Sequence, residues 1–174
     1  TMQALIEEDP NRVVIIGHTP TAPETGFGYM KVGEKIAGHD DVFKIDSFKE
    51  KPDEETAKTY VMDGSYFWNM GYICVTPNFL LQELHAYAPE LYESITQYAK
   101  ALKEEGVEAA AKVYAGIAKI AIDYALNERT PNIIAVTGDY GWSDVGSWAI
   151  VKQLFGTDGD HVPRGHHVNV DSHN

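Results

Sequence analysis

The sequence has little of what several classes of protein require. A single cysteine in 174 residues excludes a disulfide framework, and Cys74 lies in an apolar run, which predicts a reduced interior thiol in a cytoplasmic protein. No apolar run approaches the roughly 20 residues that span a bilayer. The first residues have neither the basic nor the apolar region of a signal peptide. We therefore expect a soluble protein of the cytoplasm.

Basic residues are also scarce. Lysine and arginine number 14 against 26 aspartates and glutamates, so the formal net charge is −12. Such a chain offers no basic face to a nucleic acid backbone or to an anionic membrane, and neither is an expected partner. An anionic ligand would need a divalent cation or a few well-placed lysines to offset the repulsion.

The hydrophobic pattern predicts a single α/β domain with a substantial core, since 44% of the residues are hydrophobic. Five strands are predicted, at 12–17, 29–32, 41–48, 66–75 and 132–136. The first and last are continuous β-branched runs, typical of strands buried on both faces. In the second and third, apolar and polar residues partly alternate, as is typical of edge strands. Gly71 marks a predicted bulge or a point of close backbone approach. Helices are predicted at 54–62, from 77 onward, two or three times between 89 and 128, and at 146–155.

Three segments carry residues suited to ligand binding. Gly26 and Gly28 flank an aromatic residue in a loop dense in turn formers, where the backbone can approach a ligand closely, although a tight loop alone explains the same pattern. Glu50 could accept sugar hydroxyl protons and Lys51 could hold a phosphate; a solvated strand end is the alternative. The amide of Asn69 suits hydroxyl recognition, while the neighbouring Trp68 could equally be a core residue.

A fourth segment, 141–148, places one carboxylate, Asp144, between small residues at a predicted helix entrance. A carboxylate with glycine-bounded access can reach Mg²⁺. The alternative is that Asp144 only caps the helix.

The order and spacing of these segments resemble one family, the sugar-1-phosphate nucleotidylyltransferases, and within it the mannose-1-phosphate guanylyltransferase branch. The form Asp-Val-Gly-Ser-Trp at 144–148 favours that branch by resemblance. The matching segments span most of the chain: Pro-Glu-Thr-Gly-Phe-Gly-Tyr at 23–29, Glu-Lys-Pro-Asp at 50–53, Trp-Asn-Met-Gly at 68–71, Ile-Asp-Tyr-Ala-Leu-Asn-Glu at 122–128 and Gly-Trp-Ser-Asp-Val-Gly-Ser-Trp at 141–148.

The resemblance implies a reaction and a role for each matching residue. The phosphate oxygen of mannose-1-phosphate attacks the α-phosphorus of GTP, pyrophosphate leaves and GDP-mannose forms. Such chemistry depends on positioning and charge neutralisation more than on a protein nucleophile. By motif, the implied sugar ligands are Gly28, Glu50 and Asn69, the phosphate ligand is Lys51, the Mg²⁺ ligand is Asp144, and Asp123 has a supporting role at the sugar site. Lys51 and Asp144 would form the electrostatic centre of catalysis.

The resemblance also implies a partial Rossmann-like nucleotidyltransferase fold, a mixed sheet flanked by helices without its N-terminal nucleotide-binding half. Residues 1–155 would form the sugar-phosphate-binding half, and 156–174 a linker and the start of a β-rich domain. The four histidines between 161 and 173 are interpreted as part of that tail, since the adjacent His166 and His167 would point to opposite faces of a strand.

Two residues and one segment depart from the family pattern. Ala22 replaces a basic residue, and Phe27 replaces a tyrosine and loses its hydroxyl. The glycine-rich nucleotide loop, with its arginine and lysine, has no counterpart in the 174 residues. We therefore expect the chain to be inactive by itself, with an open sheet edge that favours self-association into a homo-oligomer. Two alternatives remain: a non-catalytic sugar-phosphate-binding module, and a glucose-1-phosphate thymidylyl- or uridylyltransferase.

Overall fold

The computed structural model describes residues 1–146, 148, 150 and 151. It has two compact units, Thr1–Asp139 and a second unit that starts at Tyr140. The elements of the first unit are, in chain order, α1 (Met2–Glu8), β1 (Val13–His18), β2 (Tyr29–Lys35), β3 (Val42–Lys49), α2 (Glu54–Asp63), β4 (Tyr66–Cys74), α3 (Pro77–Tyr87), α4 (Pro89–Glu104), α5 (Val107–Ala115), a π-helical turn (Asp123–Asn127) and β5 (Ile133–Gly138).

The five strands form one mixed sheet that closes on itself in the order β1-β4-β2-β3-β5. β5 runs parallel to β1 over six residue pairs, and every other pairing is antiparallel. Closure comes from β3 and β5, which pair at Val42 with Val136, Phe43 with Ala135 and Lys44 with Ile134. The predicted mixed sheet with flanking helices is confirmed.

The prediction that 29–32 and 41–48 are edge strands is wrong, because β2 and β3 each have two hydrogen-bonded neighbours. Their partial alternation has another cause. Along β3, Ile45 and Phe48 pack in the main core cluster and Val42 packs in the second with Val14, while most of the other residues are not buried. The pairing of β3 with β2 shifts register between Ser47 and Ile45, which breaks the regular alternation. The expected open edge is therefore absent from the five strands of the first unit, while self-association into a homo-oligomer stays a prediction.

The two β-branched strands β1 and β5 are buried, as predicted. Val13 and Ile15 of β1 belong to the main core cluster, while Val14 points the other way and packs in a second cluster with Leu5. Leu5 comes from α1, a short helix that the sequence analysis did not predict and that the Thr1 side chain caps by accepting from the Ala4 N–H. The continuous apolar run thus reflects coverage of both faces.

Gly71 lies in a bulge of β4, which confirms that prediction. Ile15 and Gly17 of β1 pair with Ile73 and Asn69, so one residue on β1 lies opposite three on β4. Gly71 has a φ of 76°, a left-handed conformation that suits glycine. The bulge interrupts regular pairing directly after Asn69.

The predicted helices between 54 and 128 are present. Asp53 caps α2 and Thr76 caps α3, in each case by accepting from the backbone N–H three residues on. Two helices and the π-helical turn occupy 89–127. Of the helix predicted at 146–155, residues 148, 150 and 151 are helical, and most of the remainder lies outside the described residues, as does 156–174. No helix in the described part of the chain is long and apolar enough to cross a bilayer.

Candidate functional site

Four of the predicted ligand-binding residues converge at the end of β3. The Lys51 N–H donates to the Phe27 carbonyl at 3.2 Å, and the Asn69 N–H donates to the Gly28 carbonyl at 2.8 Å. The glycine loop therefore lies between the turn after β3 and the β4 strand. The fold brings Gly28, Glu50, Lys51 and Asn69 together, although Gly28 and Asn69 are 41 residues apart in the sequence.

Gly28 is packed against the carboxylate of Glu50. A Cβ added to Gly28 would lie 2.5 Å from Glu50 Oε2 and 3.0 Å from Phe48 Cζ. A methyl group cannot be accommodated there unless one of these groups moves. The structure thus gives a reason for this glycine that the sequence analysis lacked, namely contact with another candidate ligand-binding residue.

Asp123 fixes the side chain of Asn69. Asn69 Nδ2 and Asn127 Nδ2 both donate to Asp123 Oδ1, at 3.0 and 2.9 Å. The other end of the Asn69 amide accepts from the Gly71 N–H at 3.1 Å, so the amide has one orientation. Asp123 lies on the π-helical turn, an element that is frequent at functional sites. It is placed to orient Asn69, while its supporting role at a sugar site stays a prediction.

Two residues of this network were not predicted. Asn127 is 2% exposed and donates to Asp123, and Glu128 Oε1 accepts from the backbone N–H of Glu50 at 2.9 Å. Lys49 Nζ lies 3.9 Å from the same glutamate oxygen. Both residues belong to the segment 122–128, of which only Asp123 was selected. Their polar character within a mostly apolar helical segment was the available signal.

Glu50 and Lys51 form a contact of opposite charges, with Lys51 Nζ 3.5 Å from Glu50 Oε1. The Glu50 side chain is 10% exposed and that of Lys51 is 59% exposed. Burial raises the pKa of Glu50, and the negative charge of Asp123 raises it further, while Lys51 partly offsets both. Lys51 itself has a φ of 45°, a strained conformation for a side-chain-bearing residue that costs about 1–3 kcal/mol.

The raised pKa of Glu50 predicts a pH-dependent stability difference. The charged carboxylate is disfavoured in the folded protein. The contribution of Glu50 to the free energy of unfolding therefore falls as the pH rises from the ordinary pKa of 4.5 through the higher folded pKa. Glu50→Gln should therefore gain stability relative to the original chain as the pH rises above 4.5, until the raised folded pKa has been passed. Urea unfolding at a series of pH values measures this difference.

The matched control for that experiment is Glu54→Gln. Lys58 lowers the pKa of Glu54 by a hydrogen bond and by its charge, so this variant should lose stability relative to the original chain as the pH rises through the lowered pKa to 4.5. Parallel pH trends for the two variants would contradict the raised pKa of Glu50.

The remaining candidate, Asp144, lies in the second unit. Its side chain is exposed, and Asp144 Oδ1 accepts from the Gly146 N–H at 3.1 Å, which closes a local turn. In the described part of the chain no group of three histidine, cysteine, aspartate or glutamate side chains could hold a metal ion. One carboxylate nevertheless fits Mg²⁺, which commonly takes one or two carboxylates and completes its shell with water and phosphate oxygens.

Two cavities lie near this network in the described part of the chain. One of about 510 Å³ is lined by residues near the start of α4 and between α5 and the π-helical turn, and one of about 430 Å³ lies along β3 and the segment after the turn. Neither is lined by Gly28, Glu50, Lys51 or Asn69. The second cavity is nevertheless lined by Phe48, Asn127 and Glu128, so it borders the polar network.

Comparison with known families identifies the family of the chain. The family model described as nucleotidyl transferase matches residues 1–155. The chain belongs to the nucleotidyl transferase family. This match covers every predicted ligand-binding residue, from Gly28 to Asp144.

Curated relatives confirm the resemblance to the mannose-1-phosphate guanylyltransferase branch. The chain is 33% identical over 171 residues to "Mannose-1-phosphate guanylyltransferase ManC" of Salmonella typhimurium, which covers 95% of this chain and 35% of that protein. It is 32% identical over 174 residues to "Alginate biosynthesis protein AlgA" of Pseudomonas syringae, with 98% and 36% covered. The chain thus spans about a third of the length of these relatives.

Solved structures agree on the fold. A Thermus thermophilus protein described as a mannose-1-phosphate geranyltransferase superposes with a TM-score of 0.75 at 29% identity, over 90% of this chain and 44% of that one. A mannose-6-phosphate isomerase from Helicobacter pylori gives a TM-score of 0.67 over 82% and 56%, at 23% identity, which bears on the fold alone.

Proposed function

We propose that this chain supplies the hexose-phosphate site of a mannose-1-phosphate guanylyltransferase. The observation that carries the proposal is the convergence of Glu50, Lys51 and Asn69 on the glycine loop at Gly28. These side chains offer carboxylate oxygens, an ammonium group and an amide within one polar network. The names of the curated relatives support the choice of mannose-1-phosphate and GTP as substrates.

The roles follow from charge and exposure. Lys51 is the more exposed member of its pair, so its ammonium group can turn toward a phosphate that arrives from solvent. Glu50 is held behind it and presents acceptors to sugar hydroxyls. Asp123 and Gly71 already hold the two ends of the Asn69 amide. Asn69 can therefore contact a sugar hydroxyl only through the donor or acceptor positions of that amide that are still unused.

The proposed reaction joins the mannose-1-phosphate oxygen to the α-phosphorus of GTP and releases pyrophosphate. Asp144 would supply one carboxylate to Mg²⁺, which neutralises phosphate charge when bound. The triphosphate would be bound by residues outside this sequence, because the 174 residues contain no glycine-rich loop with arginine and lysine that opens a helix. On this proposal the chain alone binds the sugar phosphate without turnover.

The test is calorimetric titration of the full chain with mannose-1-phosphate. Lys51→Ala should weaken binding about tenfold, because it removes one charge-assisted hydrogen bond to the phosphate. Lys58→Ala is the matched control, since Lys58 is similarly exposed and pairs with Glu54 on α2. Its affinity should equal that of the original chain.

Glucose-1-phosphate provides the competing ligand in the same experiment. Tighter binding of mannose-1-phosphate supports the guanylyltransferase branch. Equal binding of both sugars would weaken the choice of that branch, and tighter binding of glucose-1-phosphate would favour the sibling class that uses it. Absence of binding by the original chain, with heat changes no larger than dilution, would overturn the proposed function.

A further inference from the structure

Glu128 connects two parts of the site that are far apart in sequence. It follows the π-helical turn, and its side chain is 23% exposed. Its Oε1 accepts from the backbone N–H of Glu50, 78 residues away. A carboxylate acceptor makes this a charge-assisted hydrogen bond, which is stronger than one between neutral groups.

The bonded N–H stands at a place where the backbone needs support. β3 ends at Lys49, and Lys51 adopts its left-handed φ of 45° two residues later. Pro52 follows and favours an extended conformation for the residue before it, so the observed backbone of Lys51 is unfavourable for two reasons. Strain of this kind persists where surrounding contacts hold the chain.

Two hydrogen bonds hold this turn from opposite sides. The Lys51 N–H donates to the Phe27 carbonyl at 3.2 Å, and the Glu50 N–H donates to Glu128 at 2.9 Å. The first bond ties the turn to the glycine loop. The second ties it to the segment that also carries Asp123, the residue that fixes Asn69. One short segment thereby controls both the Glu50–Lys51 turn and the Asn69 amide.

We propose that Glu128 is a positioning residue, whose carboxylate holds the Glu50–Lys51 turn in the conformation that binds a hexose phosphate. The proposal rests on the proposed function for the identity of the ligand. Glu128 does not touch the ligand in this role; it acts through the backbone of Glu50. Lys49, 3.9 Å from the same oxygen, balances part of its charge.

The experiment compares Glu128→Ala with Glu128→Gln in the full chain. Glutamine keeps an oxygen that can accept from the Glu50 N–H, whereas alanine removes the acceptor. Titration with mannose-1-phosphate should show about tenfold weaker binding for Glu128→Ala, as expected for loss of a hydrogen bond to a charged group. Glu128→Gln should recover most of that loss. Glu104→Ala, an exposed glutamate near the end of α4, controls for the removal of one negative charge.

Amide hydrogen exchange, measured residue by residue, gives a readout without ligand. Glu128→Ala should accelerate exchange at the Glu50 and Lys51 amides, and Glu128→Gln should leave both near their original rates. Exchange in β1 and β5 should not change. Acceleration throughout the sheet, with a large fall in melting temperature, would assign Glu128 a general structural role and overturn the proposal.

The two proposals fail in different ways. If the original chain binds mannose-1-phosphate and Glu128→Ala binds it equally well, positioning by Glu128 is wrong while the proposed function stands. If the original chain binds no hexose phosphate, the proposed function is wrong. The positioning of the turn is then decided by exchange: unchanged rates at Glu50 and Lys51 overturn it, and selective acceleration supports it.

Discussion

Gly28→Ala should weaken mannose-1-phosphate binding by about 100-fold while the chain remains folded, the upper end of what overpacking of about 1–3 kcal/mol produces. The new Cβ would lie 2.5 Å from Glu50 Oε2 and 3.0 Å from the ring of Phe48. The ring belongs to the main core cluster and has little room to move. The Glu50 carboxylate is the end of a flexible side chain, so it is the group that must shift.

The loss in binding should therefore exceed the loss in stability. Displacing Glu50 moves its carboxylate away from the position in which it is proposed to bind sugar hydroxyls. Rotating this side chain, which follows the end of β3, should lower the free energy of unfolding only slightly. Calorimetric titration and thermal unfolding of the same sample separate the two effects.

Gly26→Ala is the control within the same loop. A Cβ at Gly26 meets no atom within 4 Å, and the backbone there is not left-handed, so binding and melting temperature should both stay near the original values. Equal affinities for the Gly28 and Gly26 variants would show that Glu50 does not contribute to binding from its present position.

Glu83→Ala should lower the free energy of unfolding by about 3 kcal/mol. Glu83 is 5% exposed on α3, and its two carboxylate oxygens accept from the Thr130 hydroxyl and from Asn132 Nδ2. Thr130 is itself buried and also accepts from the Asn132 N–H at 3.0 Å. Removing the carboxylate leaves the buried Thr130 hydroxyl without this acceptor, which costs the desolvation of that group, and removes the bond to Asn132.

The expected change corresponds to a fall in melting temperature of roughly 6–12 °C for a chain of this size. Calorimetry or urea unfolding measures it. Gln82→Ala, on the neighbouring exposed position of the same helix, should stay within about 0.5 kcal/mol of the original chain. A Glu83 variant as stable as the Gln82 variant would mean that this buried network does not help to anchor α3 to the segment before β5.

The sequence allowed the strands to be located but not their partners. The β-branched residues at 12–17 and 132–136 predict buried strands, and Gly71 predicts a bulge. Both predictions are possible because burial of a strand and a bulge depend on the local residues. The pairing of Val42 with Val136 depends on how two distant segments meet, and no local pattern encodes that. The resulting error was to treat β2 and β3 as edges.

The candidate site divides in a similar way. Gly28, Glu50, Lys51 and Asn69 were selected because their residue types and their motifs suggested binding, and the structure places them together. Glu128 was overlooked because its partner is a backbone N–H, which every residue except proline possesses and which sequence patterns do not reveal. Such roles become visible only when the fold brings an acceptor to the end of a strand.

The late position of β5 in the chain has a consequence for biosynthesis. On the ribosome, β1 leaves the exit tunnel 120 residues before its parallel neighbour β5, counted from Val13 to Ile133. β3 leaves it 91 residues before β5, which closes the sheet, counted from Val42 to Ile133. Until β5 has been synthesised, both strands carry unpaired backbone groups that can form hydrogen bonds with a non-native strand. Closure of this five-stranded sheet thus depends on β5, and contacts of such long sequence separation make closure slow compared with formation of the α4 and α5 helices.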